Sequence, residues 1–444
     1  MIEFTIDAAD LEAVKAALLP SDVERCAVLF ASQVTRSDGL TRLLVRDYEL
    51  AAADDYAAQG TQHAELRPAL VARVTKRARR EKLSLIFVHS HPGSGAPHFS
   101  LIDDEGEHHL AAFLGHRHPD NIHAALVMSA GGLRARQLGT INEIRVVSLG
   151  ERRVIPFDPE RAMERPAEAF DRQVRAFGAS GQHALERMRV AIVGLGGTGS
   201  LVAQQLVHLG IRKFILVDPD VIEATNLNRV VGAMPSDVGN SKVEVAARYI
   251  RSFAAGAEIT SVAGDVIKAR TAQVLFDADL IFGCTDSHGS RSILQQVSYQ
   301  YLIPCIDIGT TITTNKGTVT GIFGRVQMLA PGHACLSCSD LLSPEEVRRD
   351  MMSAFERKSD PYIQGAREPA PAVVSLNGTV VSLAVTMLLG FVTEIPTRGH
   401  YVIYNAMSST LRSVRSGAKA NCFICSREGA FARGDAQRLF ARQD

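Results

Sequence analysis

The feature that most constrains the fold is a glycine-rich turn between an apolar strand and a helix. The segment GLGGTGS follows a predicted strand at Arg189–Val193, and a helix is predicted over Ser200–Leu209. A further strand, Phe214–Val217, follows. Strand, turn, helix and strand in this order form a βαβ unit with a right-handed crossover, so the strands run parallel. The sequence therefore predicts a doubly wound α/β domain, with further strands near 258–262, 280–283 and 304–308.

The spacing of the glycines suits a phosphate. Gly194, Gly196, Gly197 and Gly199 let the backbone approach a ligand closely at the start of a helix, where the free N–H groups attract anions. Asp218 ends the next predicted strand, which is the position of a ribose-binding carboxylate. A nicotinamide-dependent oxidoreductase would satisfy the same pattern, so the glycines alone leave the nucleotide open.

Polar residues downstream of the turn favour a triphosphate. They form the series Asp218-Pro-Asp220, Asn226-Leu-Asn-Arg229, Gly239-Asn-Ser-Lys242 and Cys284-Thr-Asp286. Asparagine, arginine and lysine beside a phosphate loop, with an aspartate at a later strand end, can grip a triphosphate and neutralise its charge around magnesium. A dehydrogenase has no need of this series.

The series, together with Arg172 in FDRQVRAFG, closely resembles the ThiF/MoeB/ubiquitin-activating enzyme family over about residues 169–430. The resemblance implies adenylation of the C-terminal glycine of a ubiquitin-like protein with ATP and Mg²⁺. It assigns the ATP ribose to Asp218 and magnesium to Asp286. It assigns binding of the phosphates to Asn226, Arg229 and Lys242. It also implies that Arg172 contacts the nucleotide from the other subunit of a homodimer.

The region before about Gly150 has its own α/β pattern. Helices are predicted near 11–19, 66–80 and 101–114, and strands near 26–30, 41–46 and 83–88. The last strand ends in His89-Ser90-His91-Pro92, so alternation puts both imidazoles on one face. Asp103, just inside the following helix, is the candidate third ligand of a zinc site. Ser100-x-x-Asp103 also fits a helix N-cap without any metal.

The string HSHPGSGAPHFSLID resembles the signature of the JAMM/MPN zinc metalloproteases, over about residues 1–145. The resemblance implies zinc held by His89, His91 and Asp103, Glu24 as general base and acid, and Ser100 as the oxyanion donor. It also implies cleavage of peptide or isopeptide bonds after the C-terminal glycine of ubiquitin-like proteins. A metal-free relative of this fold, kept for binding, is the alternative.

The cysteines indicate a second zinc site, of a structural kind. Two CxxC pairs, Cys335/Cys338 and Cys422/Cys425, supply four thiolates, enough for a closed tetrahedral site. The remaining Cys26, Cys284 and Cys305 lie on or beside predicted strands and are expected to be core residues. The loop GAREPAPAVVSLNG, where many members of the activating family carry a thioester-forming cysteine, contains none. Either the enzyme stops at the acyl-adenylate, or a partner's cysteine attacks that adenylate directly.

Composition excludes other classes of function. Balanced charge, with 48 basic and 48 acidic residues, argues against a protein that tracks nucleic acid or an anionic membrane. The acidic start MIEFTIDAADLEAV lacks the features of a targeting signal, which predicts a cytoplasmic protein. An uncharged run over 369–393 is long enough to raise the question of a membrane span, but its prolines, asparagine and hydroxyl residues favour a buried helix preceded by a loop.

Together these patterns predict a fusion of two enzymes of ubiquitin-like modification. A JAMM/MPN α/β domain is predicted at 1–147, a linker rich in charge and proline at 148–168, and a Rossmann-like activating domain with a four-cysteine zinc at 169–444. The resemblance points to a bacterial-type conjugation pathway with a ubiquitin-conjugating-like enzyme as a further partner. The alternatives are sulfur-carrier activation for cofactor or cysteine synthesis, and a non-catalytic scaffold that binds modifiers.

Overall fold

A computed structural model describes residues 1–160, 166–353, 356, 371–397 and 399–443. These residues divide into two units. The first contains residues 1–160 together with two short segments from later in the chain, Gln300–Leu302 and Ala430–Arg438, and the second contains the other described residues.

The first unit is built on a mixed sheet of eight strands, in the order β10-β9-β1-β3-β2-β6-β7-β8, and β4 and β5 form a separate hairpin. Its strands are β1 Ile2–Asp7, β2 Cys26–Thr35, β3 Thr41–Leu50, β4 Tyr56–Gln59, β5 Ala64–Leu66, β6 Ser84–Ser90, β7 Ala124–Ser129, β8 Gly132–Gln137, β9 Arg145–Leu149 and β10 Arg153–Phe157. Its helices are α1 Ala8–Leu18, α2 Pro68–Glu81 and α3 Leu101–Arg117.

Both faces of this sheet are covered. Successive side chains of β2 point to opposite faces, so Leu29 packs in one core with Val14 of α1, while Phe30 packs in the other core with Val74 of α2. This explains why β2 reads as an almost continuous buried apolar run. The predicted helices and strands of this region are confirmed, with ends that differ by a few residues.

The predicted linker over 148–168 is only partly correct. Arg153–Phe157 forms β10, which pairs antiparallel with β9 and so extends the first sheet. The predicted second domain, 169–444, is corrected at its far end, because Ala430–Arg438 belongs to the first unit. In that segment a side chain on Gly434 would lie 2.6 Å from Val34 Cγ2 of β2. Charge and proline content suggested a linker and so did not reveal the short hairpin of β9 and β10, while the return of Ala430–Arg438 depends on long-range contact. Residues 161–165 of the predicted linker lie outside the described part of the chain.

The second unit contains another eight-stranded sheet, in the order β13-β12-β11-β14-β15-β16-β17-β18. Its strands are β11 Arg189–Val193, β12 Lys213–Val217, β13 Glu258–Val262, β14 Leu280–Gly283, β15 Cys305–Asn315, β16 Thr318–Leu329, β17 Tyr401–Asn405 and β18 Thr410–Ser413. The helices are α4 Asp171–Arg187, α5 Gly197–His208, α6 Lys242–Phe253, α7 Ala269–Ala272, α8 His288–Gln300, α9 Pro344–Met351 and α10 Val374–Val392.

The first five strands of this sheet, β13 to β15, are parallel, which confirms the predicted doubly wound arrangement. Chain order reverses between β11 and β14, so the crevice outside their carboxyl ends is the expected ligand site. The sequence did not predict the antiparallel extension of β16, β17 and β18. The residues of β18 are exposed and those of β17 are half-buried, so neither shows the buried apolar run that marked the parallel strands.

The turn between β11 and α5 depends on close backbone contacts. Gly194 has φ +88°, and a side chain on it would lie 2.7 Å from the Cys284 carbonyl oxygen. A Cβ on Gly199 would overlap the carbonyl of Gly194. Glycine is therefore required at both positions, for conformation at the first and for space at the second.

Helix α10 is the one described helix long and apolar enough to cross a membrane by length and composition. Its residues Leu376, Val380, Ala384 and Leu388 are buried, and it contacts α5, β15 and β16. The predicted buried helix is thus observed, and it begins at Val374.

Substitution of Gly199 by alanine is expected to destabilise the second unit. The added methyl group meets backbone that cannot move aside, and such overpacking typically costs about 1–3 kcal/mol. Thermal unfolding followed by circular dichroism should show a midpoint several degrees lower. Gly196→Ala is the matched control in the same turn, since a Cβ there has no neighbour within 4 Å. Equal midpoints for the two variants would contradict the packing argument.

Candidate functional site

In the first unit, two histidines and one aspartate converge at the end of β6. The Nε2 atoms of His89 and His91 are 3.2 Å apart, and Asp103 Oδ1 lies 3.3 Å from His89 Nε2. One ligand atom from each of the three residues lies within 4.8 Å of the other two. Two imidazoles and a carboxylate are a common catalytic zinc set that leaves a coordination position open. The predicted residues are thus brought together, and their donor chemistry fits zinc.

Glu24 lies beside this cluster, in the turn before β2. Its Oε1 is 3.6 Å from His91 Nε2, and the side chain is buried. Burial raises the pKa of Glu24; the charge of His89 opposes that shift, and the Asp103 carboxylate adds to it. A carboxylate whose pKa is raised towards neutrality suits a group that both accepts and donates a proton. The predicted position of Glu24 next to the ligands is therefore observed.

Ser100 caps the N-terminus of α3, as the helix N-cap interpretation predicts. Asp103 N donates to Ser100 Oγ at 3.2 Å, and Ser100 N donates to Asp103 Oδ2 at 2.6 Å, which together form a capping box at the start of α3. Ser100 Oγ also donates to Asp103 Oδ2 at 2.8 Å. Burial opposes ionisation of Asp103, but the hydrogen bonds from His89 and Ser100 outweigh it and hold the pKa of Asp103 well below its usual range. The cap therefore also orients a candidate ligand, while the oxyanion role of Ser100 stays a prediction.

The side chains that pack next to His89 were not predicted from the sequence. The guanidinium of Arg136 stacks 3.8 Å from the Phe99 ring centre, and the Phe99 ring meets His89 edge-on with centroids 6.1 Å apart. Arg136 is held by Glu107, with both nitrogen-to-oxygen distances at 3.0 Å. No short motif marks these residues, because β8 and α3 supply them from distant parts of the chain.

In the second unit, the glycine turn meets the predicted ribose carboxylate directly. Asp218 is buried at the end of β12, where its Oδ2 accepts from Leu195 N at 2.6 Å and its Oδ1 accepts from Asp220 N at 2.9 Å. Burial raises the pKa of Asp218, and the charge of Lys242 opposes this shift. Asp218 therefore fixes the shape of the turn, in addition to the role that the resemblance implies.

A cavity of about 490 Å³ opens just after Asp218, and Asp220, Asn226, Arg229 and Lys242 are among its lining residues. Lys242 Nζ lies 2.7 Å from Asp220 Oδ2 and 3.9 Å from Asp218 Oδ1. The predicted polar residues from three separate segments are thus brought to one place. The cationic and amide groups can bind phosphate oxygens, and the acidic ones hold the lysine in position.

Asn226 and Arg229 share a short turn. Asn226 is buried and its Oδ1 accepts from Glu223 N at 3.2 Å. Arg229 Nη1 donates to the Thr225 carbonyl at 2.6 Å and to Asn228 Oδ1 at 3.1 Å. These bonds fix the turn, and both residues line the cavity.

Two other predicted residues are exposed. Asp286 follows β14, three residues beyond Gly283, which places it at the carboxyl edge where the sheet reverses direction. Its position agrees with the predicted edge, but magnesium binding stays a prediction. Arg172 lies in the first turn of α4. Its contribution to a second subunit's nucleotide stays a prediction as well.

A cluster of charged side chains around the buried Asp307 was not predicted. Asp307 of β15 is ion-paired to Arg325 and lies 3.3 Å from Arg291 Nε of α8. The negative charge of Asp307 raises the pKa of Cys284, after the larger effect of burial. Two guanidiniums thus share one carboxylate close to the carboxyl end of β14. The cluster escaped sequence reasoning because its residues are spread over three elements.

The four paired cysteines form a single cluster. Their sulfur atoms lie within 4.8 Å of one another, with Cys335–Cys422 and Cys338–Cys425 Sγ distances of 3.6 Å. Zn–S bonds of about 2.3 Å in a tetrahedron place sulfurs roughly 3.8 Å apart, whereas a disulfide brings them to about 2.05 Å. Backbone N–H groups of Cys338 and Lys419 donate to the sulfurs of Cys335 and Cys338. The predicted four-cysteine set fits a closed structural zinc.

The fold and the glycine turn define the second unit as a Rossmann-like nucleotide-binding domain. The family model of the ThiF family matches residues 170–424. The chain therefore belongs to the ThiF family, and these residues form an adenylyltransferase domain of the ThiF/MoeB type.

Individual relatives cover the same region. The molybdopterin-synthase adenylyltransferase of Escherichia coli (strain K12) is 28% identical over 258 residues, which are 58% of this chain and 95% of that protein. The SAMP-activating enzyme E1 of Haloferax volcanii is 26% identical over 252 residues, which are 57% of this chain and 85% of that protein. A crystal structure of E. coli MccB with MccA-N7isoASN gives a TM-score of 0.48 at 18% identity, over 59% of this chain and 76% of that one.

Metal analysis of the purified protein should find two zinc ions per chain. Cys338→Ser is expected to remove one and to lower the unfolding midpoint, because a structural zinc contributes directly to folding free energy. His91→Ala is expected to remove the other. Mass-spectrometric zinc counting on each variant provides the measurement. Ser337→Ala, next to Cys338, is the control that should keep both ions. A wild-type protein prepared with added zinc that still holds none would show that neither cluster binds it.

Proposed function

We propose that the second unit adenylates the C-terminal glycine of a ubiquitin-like or sulfur-carrier protein at the expense of ATP. The observation that carries this proposal is the cavity that follows β12, which Asn226, Arg229 and Lys242 line. Membership of the ThiF family and the adenylyltransferases among the relatives support it. Those relatives include a molybdopterin-synthase adenylyltransferase and a SAMP-activating enzyme, and a bacterial-type conjugation pathway is our preferred setting.

The chemistry needs alignment more than acid–base catalysis. An oxygen of the substrate's carboxylate attacks the α-phosphorus of ATP, the bond to the bridging oxygen of the β-phosphate breaks, and pyrophosphate leaves. No proton moves, since the nucleophile is already ionised. Lys242 and Arg229 offset negative charge on the phosphates and Asp218 binds the ribose. Asp286 would hold Mg²⁺, which supplies further neutralisation of the phosphates when bound. Arg172 from a second subunit would complete the site in a homodimer.

The cysteines outside the four-cysteine cluster decide whether this chain can itself take the acyl group from the adenylate as a thioester. Cys26 and Cys305 are buried, and burial raises the pKa of Cys26 to about 12. Cys284 is partly exposed, yet burial of its thiol raises the pKa well above its usual range. None of the three is a good thioester-forming nucleophile. Residues 365–370 of the cysteine-free loop lie outside the described part of the chain. The acyl-adenylate would therefore pass to sulfide or to a cysteine of a partner such as a ubiquitin-conjugating-like enzyme.

The adenylation proposal predicts pyrophosphate exchange into ATP that depends on a carrier protein ending in glycine. Lys242→Ala should lower the exchange rate about 100-fold or more, because one charged contact to the reacting phosphates is lost. Lys213→Ala, a lysine at the start of β12, serves as control and should leave the rate unchanged.

Calorimetry with MgATP and with NAD(H) separates the alternatives. A protein that binds NAD(H) but does not bind MgATP would be an oxidoreductase instead. MgATP binding without exchange for any glycine-ending carrier would favour a modifier-binding scaffold.

For the first unit we propose a zinc-dependent peptidase or isopeptidase that cleaves after the C-terminal glycine of a ubiquitin-like protein. The observation that favours it is the placement of Glu24 3.6 Å from a three-residue ligand set. His89, His91 and Asp103 would hold the zinc, which acts as a Lewis acid when bound. Glu24 takes a proton from the attacking water and returns it to the leaving amine. Such an activity would trim a precursor or remove conjugates of the modifier that the second unit activates.

Glu24→Gln should abolish cleavage of a ubiquitin-like protein extended beyond its terminal glycine, because the amide accepts no proton. The expected loss is about 100-fold or more, measured as the rate of shortening by mass spectrometry. Zinc content should be unchanged, since Glu24 is not one of the three proposed ligands. Glu12→Gln, an exposed position on α1, is the control. Equal cleavage by the Glu24 variant and the wild type would refute the assigned role.

A further inference from the structure

The amide side chain of Asn377, which was not among the predicted site residues, lies against the glycine turn between β11 and α5. Asn377 lies in the first turns of α10 and only 3% of its surface is exposed. The Thr310 hydroxyl of β15 donates to Asn377 Oδ1 at 3.3 Å. This bond fixes which end of the amide faces β15 and turns the NH₂ group the other way.

The NH₂ group of Asn377 lies against the first residue of α5. A Cβ on Gly197 would overlap Asn377 Nδ2, and it would lie 3.2 Å from Cγ and Cδ of Arg229. Among the described residues, Asn377 Nδ2 has no hydrogen-bond acceptor. The side chain of Asn377 is almost wholly buried, yet its NH₂ group has no acceptor in the described part of the chain and is free to donate to a ligand oxygen.

Three independent donors therefore surround the space next to Gly197. They are the free N–H groups at the N-terminus of the twelve-residue helix α5, the NH₂ group of Asn377, and the side chain of Arg229, whose Cγ and Cδ next to the guanidinium approach Gly197. All are donors, and the helix terminus and Arg229 are also electropositive. The ligand group that suits them is an anionic oxygen.

The position of Asp218 indicates which phosphate this is. Its carboxylate accepts from Leu195 N inside the turn, so a ribose bound at Asp218 brings the first phosphate of the nucleotide onto the turn. Resting on the adenylation proposed above, we propose that Asn377 Nδ2 donates a hydrogen bond to an oxygen of the α-phosphate, with Thr310 as the positioning residue that orients the amide.

The test compares AMP with adenosine, which differ only by that phosphate, by calorimetry on the full chain. Asn377→Leu keeps the size of the side chain and removes the donor. Its dissociation constant for AMP should rise about 10- to 100-fold, the range for a hydrogen bond to a charged group, while that for adenosine stays within about twofold. Asn377→Asp should lose still more AMP affinity, since a carboxylate would face the phosphate. Thr310→Val should show a smaller loss for AMP only.

Ser382→Ala is the matched control, because Ser382 also links α10 to α5, through Gln205 Nε2 at 3.0 Å. It should leave both constants unchanged. Unaltered AMP binding in folded Asn377→Leu and Asn377→Asp would overturn the inference, and so would an equal loss for AMP and adenosine, which would indicate a packing role. A wild-type protein that binds neither AMP nor MgATP would instead refute the adenylation itself. Wild-type AMP binding with insensitive variants would refute only the role of Asn377.

Discussion

The second unit depends on the close approach of backbone to backbone in the turn between β11 and α5. Gly199 sits against the carbonyl of Gly194, and Gly194 in turn sits against the carbonyl of Cys284 beyond β14. These contacts hold the start of α5 at the point where the sheet reverses chain order. The N–H groups of a helix start and the carboxyl ends of two strands therefore open into one crevice. The predicted Asp218 follows β12 at this same edge of the sheet and accepts a hydrogen bond from Leu195 N of the turn.

Burial and charge act together in both units. Glu24 and Asp218 are buried carboxylates whose pKa values burial raises, and each lies near cationic or ligating groups that limit the shift. Asp103 is the opposite case, because hydrogen bonds from His89 and Ser100 keep it ionised. A carboxylate kept ionised suits a metal ligand, whereas the raised pKa of Glu24, next to the candidate ligands, suits proton transfer. The environments thus assign different chemistry to residues of the same type.

Local spacing predicted much of each site. His89 and His91 alternate on one strand, and Ser100 and Asp103 are separated by one helical turn, so their relation follows from backbone geometry alone. The same holds within each CxxC pair, and four thiolates in two pairs predicted one shared closed site. Residues without a local pattern were missed. Arg136 behind Phe99, the Asp307 cluster and Asn377 each act across elements that are remote in sequence.

The sequence by itself determined the parallel βαβ core, the glycine turn and the candidate ligands that lie within one element, because these follow from periodicity and local spacing. Only the tertiary structure decided the antiparallel pairing of β16 with β17 and the return of Ala430–Arg438 to the first unit. Those features depend on which surfaces meet after the chain has folded. The energies of such long-range contacts leave no periodic trace in the sequence.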